Sequence, residues 1–131
     1  MIPFLAAATF KPPGASSAPP ATGSIAFYFE PGDLTSLAMG TGDTAVPAVF
    51  ATNLENCDLL RITVVTPAGP TEQVWESQSG PFSGSFSISR GFDEFDALWA
   101  GVGTYTFNAA FRRVSSGLFD YTAGPIVLTV S

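Results

Sequence analysis

The chain has 131 residues, 46% hydrophobic and 12% charged, and its 11 acidic against 5 basic residues give a formal charge of −6. Soluble domains carry about 25% charged residues, but the high apolar content excludes disorder, and the missing basic footprint argues against nucleic-acid binding. No stretch approaches the roughly 20 consecutive apolar residues of a membrane-spanning helix, so one domain with a tail and a genuine core is expected.

Residues 1–23 form the tail. Pro3, Pro12, Pro13, Pro19 and Pro20 forbid both helix and central strand, leaving extended, polyproline-II-like chain. Lys11 is its single charge, and its first stretch carries the apolar residues Ile2, Phe4, Leu5 and Phe10. Met1–Ala8 has the apolar core of a secretory signal without the basic region that precedes one. It is therefore read as a structured arm that packs on its own domain or on a neighbouring subunit. The four apolar residues are its expected partner-binding contacts.

From Ser24 the pattern changes to short alternating segments, the mark of half-buried strands. Ser24–Glu30 sets Ile25, Phe27 and Phe29 on one face, and Val46–Asn53 is a second apolar run. Between them, Pro31–Pro47 reads as a glycine-rich loop without the lysine of a phosphate cradle. Asp58–Thr66 alternates Leu60, Ile62 and Val64 with Leu59, Arg61 and Thr63, and Pro67-Ala68-Gly69-Pro70 then reverses the chain towards Glu72–Ser77. In Phe82–Arg90, serine occupies every second position against Phe82, Gly84, Phe86 and Ile88, a period of two that excludes helix. Phe92–Ala100 reads as about two turns of helix opening on acidic residues. Gly103–Arg113 places Tyr105, Phe107, Ala109 and Phe111 inward, and after an interruption at Gly124-Pro125, Ile126–Val130 closes the chain. About seven short strands with regular turn signals predict an all-β antiparallel sandwich over residues 24–131.

The segment Gly101-Val102-Gly103-Thr104-Tyr105-Thr106-Phe107 resembles the corner before the penultimate strand of immunoglobulin-like domains. The resemblance implies that the Tyr105 hydroxyl bonds back to the backbone, with Phe107 standing where antibody domains place a cysteine. Cys57 is the only cysteine and the Asp58–Thr66 strand holds no tryptophan, so the chain resembles the disulfide-free bacterial and phage members. That is a statement of fold class, because such folds host many functions.

Residue chemistry narrows function mainly by exclusion. The chain has no histidine, the usual general acid or base, and no catalytic, metal or cofactor site is expected. Asp93, Glu94 and Asp96 are the one acidic cluster; a solvated helix start is favoured over calcium, whose loop spacing they lack. Cys57 beside Asp58 reads as a small buried hydrophobe, and the missing disulfide points to folding in a reducing cytoplasm. Arg112 and Arg113 form the only basic pair; with Phe119 and Tyr121 they are the candidate interface on the sandwich. Trp75, Trp99, Phe119 and Tyr121 alternatively suit stacking on sugar rings. The expected function is structural assembly within a virion, as a bacteriophage capsid decoration or accessory protein made in the host cytoplasm. Its partners would be other virion proteins or copies of itself, in a homo-oligomer or larger assembly, with neither nucleic acid nor membrane. The alternative is an extracellular binding or adhesion module for carbohydrate or a cell surface.

Overall fold

The structure is a computed structural model and describes residues 19–131. It is all β, with strands β1 (Ser24–Glu30), β2 (Ser36–Met39), β3 (Val46–Val65), β4 (Glu72–Ser89), β5 (Gly103–Arg113) and β6 (Tyr121–Val130). The predicted segments Val46–Asn53 and Asp58–Thr66 are the two halves of β3, while Glu72–Ser77 and the strand from Phe82 are the two halves of β4. The chain bulges between these halves instead of turning. The β3–β4 register breaks between Ala51 and Leu54, again before Cys57, and again before Leu59. Asn53 takes a left-handed φ of 51° in the bulge, a conformation that asparagine tolerates. Leu54 and Cys57 stay buried through it, so β3 turns a corner without leaving the core.

The corner divides the pairings into two layers. In one, the first half of β3 lies between β1 and the second half of β4. In the other, the second half of β3 lies between the first half of β4 and β5, followed by β6 and β2. β2 arises inside the Pro31–Pro47 loop and runs parallel to β6, an addition that its four residues were too short to signal. β6 continues through Gly124-Pro125, but the interruption expected there is a break in pairing, where the register with β5 passes from Phe107–Ile126 to Ala109–Ala123. Gly124 permits this with a φ of 112°; a Cβ there would lie 2.9 Å from Asn108 Oδ1 and 3.0 Å from the Phe107 carbonyl.

The inward faces meet as alternation predicts. Phe27 and Phe29 of β1, Val49 of β3, and Leu60, Ile62 and Val64 further along β3 are all buried. They pack with Phe107 and Phe111 of β5 and Ile126 and Leu128 of β6. Phe29 meets Phe107 edge-on at 6.2 Å across the layers. Each fully buried side chain of this size contributes roughly 1.5–3 kcal/mol of transfer free energy. Strands with two faces, one apolar and one rich in Ser and Thr, have no other way to bury that surface.

The segment after β4 corrects the expected helix. Ala45 and Phe92 exchange backbone hydrogen bonds at 2.9 and 2.7 Å, and two successive turns follow, closed by Asp96 N–H to Asp93 O and Trp99 N–H to Asp96 O. The carboxylates of Asp93 and Asp96 accept the N–H groups of Phe95 and Leu98. Aspartate side chains that capture the backbone two residues ahead compete with helix, and here they prevail.

The tyrosine corner is present. The fully buried Tyr105 donates its hydroxyl to Gly101 O at 2.6 Å and accepts from Ala100 N–H at 2.8 Å. Replacing Tyr105 with Phe removes the partner of both groups, and chemical denaturation is expected to show a loss of about 1–3 kcal/mol. A loss below a few tenths of a kcal/mol would mean that water replaces the hydroxyl.

Candidate functional site

Alternation along β5 turns Arg113 inward, where its side chain is only 3% exposed. A guanidinium so placed must be fully paired, because an uncompensated buried charge is costly. Its Nε donates to Asp120 Oδ2 at 2.9 Å, Nη1 to Glu55 Oε2 at 3.1 Å, and Nη2 to the Pro19 carbonyl at 2.6 Å. Asp120 comes from the β5–β6 turn and Glu55 from the β3 bulge, whose irregular backbone aims the carboxylate across the end of the sandwich. Glu55 Oε2 also accepts Thr22 N–H at 2.6 Å. The Tyr121 hydroxyl donates to the Thr22 carbonyl and accepts from Glu55 N–H at 3.2 Å. The Thr22 N–H, followed by Arg113, holds the Glu55 carboxyl below its ordinary range. Together these groups clamp the backbone at Pro19 and Thr22, where the N-terminal segment joins the sandwich. Gly23 completes the junction with a φ of 81°, in a space where a Cβ would overlap the Asn53 carbonyl.

Of the expected interface residues, Arg113 and Tyr121 are therefore buried and face Pro19–Thr22, not an open surface. Arg112, its neighbour in a strand, points the other way and forms a two-point ion pair with Asp58 at 2.8 and 3.2 Å. This pair holds the Asp58 carboxyl below its ordinary range. Phe119 lies beneath the Arg61 guanidinium, 4.1 Å from ring centre to cation. Arg61 borders a shallow depression of about 230 Å³ on the outer face of β3, β5 and β6, with Thr63, Asn108, Thr122 and Ala123 around it. Among the described residues, Arg90, Arg112 and Arg113 each have a carboxylate within 4 Å, and Arg61 has none. Ile2, Phe4, Leu5 and Phe10 lie outside the described residues.

The remaining candidates serve the fold. Asp96 accepts from Trp75 Nε1 at 2.8 Å and pairs with Arg90 at 2.9 Å. Trp75 is buried and Trp99 half-buried, both against Phe92. Burial, reinforced by Asp58, pushes the Cys57 thiol up to about 11, so it is protonated at neutral pH. Among the described residues, no group of three or more His, Cys, Asp or Glu is placed to hold a metal ion, and no helix is long and apolar enough to cross a membrane. Sequence reasoning missed Glu55, Asp120, Pro19 and Thr22: the corner in β3 brings Glu55 to Arg113, and the β5–β6 turn brings Asp120. It also missed Phe95, 87% exposed at the tip of the loop after β4; its position between Glu94 and Asp96 was the available signal.

No protein-family model and no curated protein matches the sequence. Among solved structures, the chain is similar to the CARDB domain of the PF1109 protein of Pyrococcus furiosus, described in complex with di-metal ions. The likeness has a TM-score of 0.47 at 11% identity and covers 84% of this chain and 93% of that one. The metal ions belong to the archaeal domain. For the present chain, the strand pairings and the tyrosine corner carry the immunoglobulin-like β-sandwich assignment.

Proposed function

We propose that the protein is a structural subunit that joins neighbours in a large assembly through its N-terminal arm. Within that class we favour a virion accessory protein such as a bacteriophage capsid decoration protein. The observation that supports this reading is the clamp at Pro19 and Thr22. Chain ends are ordinarily loose unless tied down. Here a buried arginine, held in turn by Asp120, together with the Glu55 carboxylate and a tyrosine hydroxyl, engages the backbone at the end of the proline-rich segment. A fixed root suits an apolar, proline-rich segment to act as a directed connector, because force or binding on it is transmitted to the sandwich instead of being lost at the joint. The alternative, an extracellular binding or adhesion module, draws on the Arg61 depression, whose guanidinium, amide and hydroxyls suit an anionic group.

Truncation tests the proposal, and the clamp sets where to cut. Removal of residues 1–18 spares Pro19 and Thr22, so the truncated chain is expected to keep its melting temperature within about 2 °C. It should no longer cosediment with the high-molecular-weight assemblies formed by the full chain in producing cells. Undiminished cosedimentation of a folded truncated chain would sink the arm reading and favour the binding module, whose surface lies on the sandwich.

A further inference from the structure

The sandwich leaves its sheet edges unequally protected. β2 is an edge of four residues, too short to template much pairing. β1 ends by exchanging backbone hydrogen bonds with Leu34, which closes that edge at Phe29. β4 is different: it spans Glu72–Ser89 and, among the described residues, pairs only with β3, which leaves its other edge without a strand along both layers. The first part of this edge carries Glu72 and Glu76, and Arg90 Nη1 occupies the Trp75 carbonyl at 2.6 Å. From Ser77 through Ser89 there is no charged residue. Natural edges are usually blunted by charge, proline or bulges. Pro81 and the left-handed Gly84 do this near the middle, leaving the following residues regular and bare.

The hydrogen-bond phase shows what that end offers. Arg90 donates its backbone N–H to Pro47 O of β3 at 3.2 Å. In an antiparallel pair, alternate residues face the partner strand, so Ser87 and Ser89 turn their N–H and C=O groups to the open side. Phe82 and Phe86 beside them are half-buried, stacked at 6.0 Å over Phe111. An added strand would gain backbone bonds and cover these ring edges.

We propose that the occupant is residues 4–10 of a second copy, adding as a strand along Ser85–Ser89. This rests on the arm reading above. Phe4-Leu5-Ala6-Ala7-Ala8-Thr9-Phe10 is the longest segment before Ser24 without charge, proline or glycine, and alternation puts Phe4, Ala6, Ala8 and Phe10 on one face. It is long enough to span the open segment after Gly84. Residues 11–18 supply a tether of roughly 25 Å at about 3.1 Å per residue. A second copy is preferred to the same chain because of the clamp. Arg113 of β5 and Tyr121 of β6 hold Pro19 and Thr22, and β5 lies across β3 from β4. The arm therefore starts on the side of β3 away from its own open edge.

The test compares the full chain with S87P, S87K and F4D/F10D variants by light scattering across a concentration series. It adds titration of a labelled peptide of residues 2–11 into the chain lacking residues 1–18. Ser87→Pro removes an outward N–H that β3 does not use, and Ser87→Lys leaves the backbone intact should proline disturb folding. The full chain is expected to self-associate, all three variants to be monomeric with intact circular dichroism, and the peptide to bind the truncated chain at least tenfold more tightly than its S87K form. Association lost in F4D/F10D but kept in both Ser87 variants would overturn the edge assignment while leaving the arm reading standing. Association kept in F4D/F10D would overturn both. A monomeric full chain whose truncated form binds the peptide would place the strand on its own edge and overturn the second copy.

Discussion

Replacing Phe92 with Ala is expected to cost about 3–5 kcal/mol, the range for deleting a buried aromatic ring. The melting temperature should fall on the order of 10–20 °C. Phe92 is fully buried outside any long strand, and its ring is shared by four aromatic neighbours. Ring centres lie 5.0 Å away at Tyr105, 5.4 Å at Phe107, 5.7 Å at Trp75 and 5.8 Å at Trp99. Its backbone also ties the loop after β4 to Ala45. The cavity would open between the tyrosine corner and Trp75, so loss of near-ultraviolet tryptophan dichroism should accompany the destabilisation. A cost below about 1 kcal/mol would show that the loop repacks freely and that this cluster is not a structural centre.

Replacing Arg113 with Ala should have the second-largest effect, lowering the melting temperature on the order of 10 °C. It leaves Glu55 and Asp120 facing each other without their cation and the Pro19 carbonyl without its donor. The diagnostic readout is hydrogen exchange at Thr22, whose N–H is held by Glu55 and should lose protection in the variant. Acid should act on the same joint. The folded Glu55 carboxyl lies below its ordinary value of 4.5, so its stabilisation is complete above that pH and is lost as pH falls through the lower, folded value. Thr22 protection in the native chain should therefore decline below about pH 4.5, and Glu55→Gln should start from weaker protection and flatten the decline. Parallel pH profiles in the two proteins would assign the acid sensitivity elsewhere, with the more exposed Asp58–Arg112 pair the next to test.

Most of the strands were legible because burial on one face writes a period of two into sequence. The serines opposite Phe82, Phe86 and Ile88, and the run from Tyr105 to Phe111, can satisfy that period only as strands. Tyr105 was legible for a different reason, since the glycines before it permit a tight corner and its hydroxyl needs a partner once buried. The predicted helix at Phe92–Ala100 failed because acidic residues at a segment start suit both a helix and consecutive aspartate-capped turns. The backbone pairing of Phe92 with Ala45, 47 residues earlier in sequence, selects the turns.

The low charge that distinguishes this sequence divides in the same way. Composition determined that few charges were available, and residue order that serine and threonine would cover the outer strand faces and that residues 1–23 would hold only one charge. Only the tertiary structure decided how the charges are used. The adjacent Arg112 and Arg113 part to opposite faces, one to a surface ion pair and the other to the root of the arm. Alternation fixes that they part. Asp120 meets Arg113 from the adjacent turn, but Glu55 reaches it only through the corner in β3, across 58 residues of chain. Local sequence carries the period of a strand; the bend that joins its distant ends is set by how two layers pack.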